Sequence, residues 1–206
     1  MRLYLSSYKI GNSPDRLQKM VGKNKKTAII CNALDVYNDL ERRKESEQNE
    51  IRDLNALGFD AEIFDLRNYF NNNSSLKDDL SKYGLVWVRG GNSFVLRRAM
   101  KQSGFDKVIV DMLKNDEIVY GGYSAGVCVL APSLIGLDLV DDKDTVPDKY
   151  GKEIIWDGLK IIDYSFAPHY KSDHPESEMV NKQVDYLIEN KILFKALRDG
   201  EVIIIY

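Results

Sequence analysis

The sequence predicts an α/β fold of three layers, in which helices cover both faces of a mostly parallel central sheet. Short apolar runs, such as those at 27–31 and 84–88, alternate with amphipathic helical stretches over the first two-thirds of the chain. This alternation predicts right-handed crossovers between parallel strands that are buried on both faces. A chain of 206 residues without a linker or an internal repeat is expected to form one domain, 1–206.

The first two-thirds of the chain supply most of the predicted sheet. Ser13 and Pro14 form a pair that is typical of a helix start, and Gly58 is a helix stop. Strands are predicted at 3–6, 27–31, 60–65, 84–88 and 118–120, and helices at 39–57, 95–101 and 105–115.

The last third of the chain is less regular. Residues 136–151 are acidic and are predicted to form a loop, and 165–170 are predicted to form a strand that ends in a histidine. Two short strands are expected at 154–156 and 159–162, followed by a helix at 176–190. The stretches at 194–197 and 202–205 are expected to pair as a closing hairpin around a polar turn.

Composition and charge exclude several classes of partner. The net charge is −3, from 29 basic and 32 acidic residues, so no nucleic-acid footprint is expected. No apolar run reaches membrane-spanning length, and the apolar start is too short for a signal peptide. Cys31 and Cys128 lie in apolar surroundings, which is typical of buried free thiols in a reducing compartment. We therefore expect a cytoplasmic protein, either a monomer or a small homo-oligomer, without a nucleic-acid or membrane partner.

The strongest chemical signal is a serine between two glycines at a strand-to-helix turn. Gly122, Ser124 and Gly126 follow the apolar run at 118–120 and precede a second apolar run that is predicted to be helical. In such an elbow the turn raises the serine hydroxyl above the sheet, and glycines avoid a clash with neighbouring backbone. The N–H of Ala125 and the helix dipole would then stabilise an oxyanion. The alternative is a tight turn with a structural role only.

A serine nucleophile needs a base and an acid that orients the base. The chain has two histidines, and His169 follows a predicted strand, at the edge where parallel sheets gather active sites. His169 is the favoured base and His174 the fallback. Asp199 would give the order Ser, His, Asp, whereas Asp138 would give the order found in α/β-hydrolases. The simpler interpretation of the loop that holds Asp138 is a solvated acidic surface.

A second glycine turn, at Gly90 and Gly91, follows the predicted strand 84–88. The N–H of Gly91 could point to the same oxyanion as that of Ala125, and Asn92 could cap the next helix. The alternative is a capped turn without chemistry. The sequence contains no dinucleotide fingerprint, phosphate-binding loop or His/Cys metal cluster, so neither a cofactor nor a metal is expected.

Three short motifs occur in order: Gly90-Gly-Asn-Ser-Phe94, Gly122-Tyr-Ser-Ala-Gly126 and Pro168-His-Tyr170. Together they resemble the serine peptidase family of peptidase E (aspartyl dipeptidase) and cyanophycinase, over essentially the whole chain. The resemblance implies a flavodoxin-like fold related to class I glutamine amidotransferases. It implies Ser124 as nucleophile, His169 as base, and Gly91 and Ala125 as oxyanion-hole donors.

The resemblance also bears on the acid. Peptidase E uses a glutamate in a turn near its C-terminus, and Asp199 is similar in placement but shorter by one methylene. An aspartate in the loop after the serine has also been proposed for the family, and Asp138 lies nearest to that region.

The expected function is that of a serine-type peptidase acting on small peptides, with dipeptides that begin with aspartate as the substrates implied by the resemblance. Asn92, Tyr123 and Tyr170 are expected to line the substrate site. Tyr123 stands where the aspartyl dipeptidases carry tryptophan, and 171–174 also differ from their pattern. An esterase or amidase on non-peptide substrates would use the same residues. A silent binding protein would be favoured if His169 lay beyond hydrogen-bond reach of Ser124, or if no acid approached its ring.

Overall fold

The architecture is α/β, and the strands and helices follow one another in the predicted alternation. The computed structural model describes residues 1–37 and 39–206. Its elements are β1 (Arg2–Ser6), α1 (Pro14–Val21), β2 (Lys26–Ile30), α2 (Leu40–Ala56), β3 (Asp60–Ile63), α3 (Leu76–Leu80), β4 (Leu85–Val88), α4 (Ser93–Ser103), α5 (Phe105–Lys114), β5 (Val119–Tyr123), α6 (Ala125–Cys128), β6 (Ser165–Ala167), α7 (Ser177–Glu189), β7 (Phe194–Ala196) and β8 (Val202–Ile205).

The central sheet has six strands in the order β3-β2-β4-β5-β1-β8. Its pairs are parallel except that of β1 with β8, which is antiparallel. Alternate residues of one strand enter different core clusters, as Leu3 and Leu5 do on one side and Tyr4 on the other. Helices therefore cover both faces, and the predicted fold class is confirmed.

The parallel strands bring several loops to one edge of the sheet. Ser7 follows β1, Gly90 and Gly91 follow β4, and Ser124 follows β5. Because β1, β4 and β5 run in the same direction, the loops that follow them meet at the carboxyl edge. This edge holds the candidate functional residues.

The two strands expected at 154–156 and 159–162 are not formed, so that prediction is wrong. In this region one isolated bridge joins Ser133 and Asp157. Leu159 is buried, but its N–H donates to the Val129 carbonyl, and the N–H of Ile161 donates to the Leu130 carbonyl. The apolar side chains pack into the core from a loop that bonds to the segment after α6, and not to a strand.

The prediction of a closing hairpin is also wrong. Both of its strands exist, but they do not pair with each other. β7 pairs in parallel with β6 in a separate two-stranded sheet, and β8 pairs with β1. The turn between β7 and β8 is closed by a hydrogen bond from the Glu201 N–H to the Arg198 carbonyl. This turn takes the chain from the small sheet to the central sheet.

Three smaller features complete the description of the fold. Cys31 and Cys128 are free and buried, as predicted. Asp39 caps α2, because its side chain accepts a hydrogen bond from the N–H of Arg42. Among the helices at 1–37 and 39–206, none has the length and hydropathy that a membrane crossing requires.

Candidate active site

Ser124 lies on a strained turn between β5 and α6, with φ +50° and ψ −122°. The flanking glycines permit a close approach to β4. A Cβ at Gly122 would lie 2.5 Å from the Val88 carbonyl oxygen, and one at Gly126 would lie 2.2 Å from the same atom. The glycines of the motif are therefore required by contact with the neighbouring strand.

The surroundings of Ser124 leave its hydroxyl and two nearby N–H groups available. Ser124 is 9% exposed. Within 1–37 and 39–206, no hydrogen bond is made by the Ser124 hydroxyl or donated by the N–H of Gly91 or Ala125. A Cβ at Gly90 would lie 2.9 Å from the Ser124 Cβ, so the two glycine turns touch. Because α6 has only four residues, these N–H groups contribute more to anion binding than a helix dipole does.

His169 and Asp199 form a hydrogen-bonded pair. His169 is 1% exposed, and its Nδ1 lies 2.7 Å from Asp199 Oδ1. Ser7, which the sequence analysis missed, joins both residues. Its Oγ donates to Asp199 Oδ1 at 2.9 Å and accepts from the His169 N–H at 2.8 Å. The only signal for Ser7 was its place just after a strand at the carboxyl edge.

The surroundings of His169 keep its imidazole neutral near pH 7. Burial lowers its pKa, while the hydrogen bond to Asp199 raises it and the charge of His174 lowers it again. With Nδ1 held by Asp199, the Nε2 atom is the one that could accept a proton.

Ser124 and His169 are not hydrogen-bonded to each other in the described part of the chain. The Nε2 of His169 lies instead 3.9 Å from Glu176 Oε2. The site thus consists of an acid–imidazole pair beside a free serine. Proton transfer between Ser124 and His169 would need their side chains to come within hydrogen-bond reach on substrate binding, as happens when catalytic hydrogen bonds tighten in the complex.

Comparison with known proteins places the chain in a family. The profile of peptidase family S51 matches residues 8–206. The chain belongs to this family. The resemblance to peptidase E and its relatives is therefore confirmed.

The chain is also similar in sequence or in fold to individual proteins. It is 28% identical to the uncharacterised peptidase Lmo0363 of Listeria monocytogenes over 64% of the chain and 60% of that relative. It is 30% identical to the uncharacterised peptidase Lin0382 of Listeria innocua over 45% of the chain and 42% of that relative. The matches thus span roughly half of each curated relative. A crystal structure of a protein from Listeria monocytogenes provisionally assigned as peptidase E superposes with a TM-score of 0.78 at 22% identity, covering 99% of the chain and 93% of the other. At this identity the likeness shows the fold.

The alternative acid, Asp138, and the fallback base, His174, both have other contacts in the structure. Asp138 lies 3.8 Å from the Lys143 ammonium, and no contact joins it to His169 within 1–37 and 39–206. His174 stacks on His169 with ring centroids 3.7 Å apart, and its Nδ1 accepts from the Glu176 N–H at 3.2 Å. His174 therefore supports the ring of His169 from one face.

The three expected substrate-binding residues have other contacts in the structure. Asn92 caps α4, because its Oδ1 accepts from the Val95 N–H at 2.9 Å, while its Nδ2 donates to the Asp142 carbonyl. The Tyr123 hydroxyl donates to buried Glu50. Tyr170 is half-buried, and its N–H donates to the Leu197 carbonyl.

One group of side chains could hold a metal ion. His169, His174 and Glu176 each offer a ligand atom, and these atoms lie within 4.8 Å of one another. A metal there would occupy the Nε2 of His169 and would compete with its use as a base. The expectation that the enzyme uses no metal stays a prediction.

A much larger cavity lies away from Ser124. It measures about 860 Å³ and is lined by residues that include Asp35, Arg43, Asp65 and Arg67. These charges pair with one another, Arg43 with Asp35 and Arg67 with Asp65. Its lining residues in the described part of the chain include no serine or cysteine nucleophile beside a base, so this cavity is a weaker candidate for an active site than the surroundings of Ser124.

Proposed function

We propose that this chain is a serine-type peptidase that hydrolyses small peptides through Ser124, His169 and Asp199. The observation that carries the proposal is the His169–Asp199 pair, with 2.7 Å between Nδ1 and Oδ1, beside a serine with a free hydroxyl on a strained elbow. Membership of peptidase family S51 supports a hydrolase. The N–H groups of Gly91 and Ala125, which donate no hydrogen bond within the described part of the chain, support an oxyanion hole.

The reaction would proceed through an acyl-enzyme. Ser124 Oγ attacks the peptide carbonyl while His169 Nε2 takes its proton, and Asp199 holds the resulting imidazolium through Nδ1–H. The N–H groups of Gly91 and Ala125 bind the negative oxygen of the tetrahedral intermediate. The C–N bond then breaks, and the leaving amine takes the proton from His169. Water, deprotonated by His169, hydrolyses the ester and restores Ser124.

The proposed substrates are small peptides, with Asn92, Tyr123 and Tyr170 near the bound chain. Because Asn92 and Tyr123 already use their polar atoms within the protein, their contribution would come from shape, from the aromatic ring, or from exchanged hydrogen bonds. The family resemblance implies dipeptides with an N-terminal aspartate, so Asp-Leu belongs at the head of a substrate panel.

Labelling with a fluorophosphonate probe, followed by peptide mapping, tests the nucleophile. We expect modification at Ser124, no modification of Ser124→Ala, and strongly slowed modification of His169→Ala. Cleavage of dipeptides and of a small ester such as p-nitrophenyl acetate would then distinguish a peptidase from an esterase. Folded protein that does not react with the probe at pH 7–8 would contradict the proposed hydrolase.

A binding protein without catalysis is the second candidate. The observation that favours it is the missing hydrogen bond between Ser124 and His169 in the described part of the chain. The hydrogen bond between half-buried Asp199 and buried His169 argues against it, because this is the arrangement that activates a serine nucleophile. Peptide binding by calorimetry without labelling or turnover would support this second candidate.

A further inference from the structure

A small enclosed space lies directly beside Ser124. Its volume is about 10 Å³, close to the roughly 10–15 Å³ that holds one water molecule. Leu137, Val140 and Val180 give it apolar walls. Its remaining polar lining comes mainly from side chains that the sequence analysis did not single out: Asp141, Glu176 and Gln183.

Gln183 is the side chain in this pocket that most clearly lacks a partner. It is 1% exposed, yet neither its amide oxygen nor its amide nitrogen has a hydrogen-bond partner among the described residues. Buried amides in folded proteins are almost always paired, because leaving them unpaired loses their hydration without replacement. An unpaired amide beside a candidate nucleophile indicates a position where a ligand group binds.

The two acids make the pocket negative. Asp141 accepts a hydrogen bond from the Ser93 N–H at 2.8 Å and interacts with the Ser93 side chain, and Glu176 is half-buried at the start of α7. Burial raises the pKa of Asp141 to about 6, and the nearby charge of Glu176 adds to the rise. The side chains that line the pocket include no lysine or arginine. The surroundings therefore favour a cation and oppose a carboxylate.

We infer that this pocket binds a positively charged amino group of the substrate while the neighbouring carbonyl lies at Ser124. This inference rests on the proposed function. An ammonium group has three donors and no acceptor, and Asp141, Glu176 and the Gln183 amide can each offer one oxygen. The compact ammonium suits the small space better than a planar guanidinium, which is larger. The ammonium could be the α-amino group of a first residue or the side chain of a lysine.

Competition with the fluorophosphonate tests the inference and separates the two sources. We would compare protection of Ser124 by 1-aminoethylboronic acid, by its N-acetyl derivative, and by the N-acetyl boronic-acid analogue of lysine. If the α-amino group binds, the free amine should protect about tenfold better than its N-acetyl derivative, as loss of a charged hydrogen-bond group predicts. If a lysine side chain binds, the acetylated lysine analogue should protect Ser124 better than the acetylated alanine analogue does. Equal protection by all three would overturn the inference.

Charge-neutral variants provide the second test. In Glu176→Gln we expect the protection ratio that reveals the ammonium in the wild type to fall by about tenfold. This is the ratio of free amine to N-acetyl derivative for an α-amino group, or of acetylated lysine analogue to acetylated alanine analogue for a side chain. Either ratio cancels any change in labelling rate. Glu178→Gln is the matched control, because Glu178 lies on the same helix, is exposed and pairs with Lys182. An unchanged ratio in Glu176→Gln would contradict the assignment of the pocket.

The pocket can also be tested without a reactive serine. If the wild-type protein does not label, the proposed function fails, and calorimetry with alaninamide, N-acetylalaninamide and Nα-acetyl-lysinamide examines the pocket alone. Tighter binding of alaninamide or of Nα-acetyl-lysinamide than of N-acetylalaninamide would support the ammonium site. Equal binding of all three amides, or of none, would overturn it.

Discussion

Ser7 holds together the two residues that are proposed to act on the proton of Ser124. It is fully buried, and its Oγ contacts both Asp199 Oδ1 and the His169 N–H. In Ser7→Ala we expect labelling of Ser124 to slow by about tenfold, because the imidazole loses part of its orientation. We also expect a loss of about 1–2 kcal/mol in the free energy of unfolding, because a buried N–H is left unpaired.

The neighbouring Ser6 supplies the control for this prediction. Ser6 is equally buried, and its Oγ donates to the Tyr8 carbonyl at 3.2 Å. Ser6→Ala should lower stability to a similar extent while leaving the labelling rate within about twofold, since it removes one ordinary hydrogen bond. Equal labelling rates in the two variants would show that Ser7 has a structural role only.

The acid of the proposed triad can be identified by comparing two aspartates. Asp199→Asn should slow labelling by about a hundredfold or more, because the amide no longer stabilises the imidazolium. Asp138→Asn should have little effect, since Asp138 is exposed and contacts Lys143 and not His169. Labelling rates and thermal unfolding of both variants provide the measurement. A larger effect of Asp138→Asn than of Asp199→Asn would indicate that the acid is Asp138, in the loop after the serine.

His169 determines the expected pH dependence of the reaction. Burial lowers its pKa from the ordinary value of 6.5, so the neutral base persists to more acidic pH. The labelling rate should therefore reach half its plateau below pH 6.5. In His174→Ala the midpoint should move upward, because the charge of His174 contributes to the lowering. A wild-type midpoint at or above pH 7 would be inconsistent with His169 as the base in these surroundings.

Among the secondary-structure elements, the junction of β5 and α6 is the most restrictive. In an ordinary helix Gly→Ala stabilises by up to about 1 kcal/mol. At Gly126 the added Cβ would lie 2.2 Å from the Val88 carbonyl oxygen, so the backbone must shift. We expect Gly126→Ala to lower the free energy of unfolding by at least about 1–3 kcal/mol, as overpacking does.

Gly151→Ala is the matched control for the elbow. The nearest atom to a Cβ at Gly151 is 3.9 Å away, and its φ is not in the left-handed region. The free energy of unfolding of this variant should lie within about 0.5 kcal/mol of the wild-type value. Urea unfolding of both variants gives the comparison. A neutral or stabilising Gly126→Ala would show that β4 does not restrain the turn.

The elements also show what a single sequence can predict. Apolar periodicity and glycine stops located the strands and helices of the first two-thirds, because these signals are local. Leu159 and Ile162 gave the same apolar signal from a loop, since burial alone does not require a strand partner. β7 and β8 were predicted as strands, but their partners depend on tertiary contacts that the local pattern does not contain.

The candidate site was predictable where its residues belong to motifs and not elsewhere. Ser124 follows β5 of the central sheet, His169 follows β6 of the small sheet, and Asp199 lies in a recognisable turn. Ser7 and Gln183 belong to no motif. Gln183 reaches the pocket only because α7 packs against β6 and the turn at Leu137–Leu139, which the sequence does not specify in isolation.

For the whole molecule, the candidate site joins the two ends of the chain. Ser7 directly follows β1 of the central sheet, and His169 follows β6 of the small sheet. Asp199 lies in the turn between β7 of the small sheet and β8 of the central sheet. The His169–Asp199 pair therefore exists only when both sheets are formed and docked, so the site depends on the complete fold.

This dependence predicts that reactivity and structure are lost together. In increasing urea, labelling of Ser124 and far-UV circular dichroism should decline with the same midpoint, as expected for one cooperative transition. The fluorescence of Trp87, which is fully buried in the central core, should follow the same curve once the exposed Trp156 is replaced by phenylalanine. Loss of labelling at clearly lower urea, with Trp87 still buried, would instead show that the small sheet and α7 separate before the central sheet unfolds.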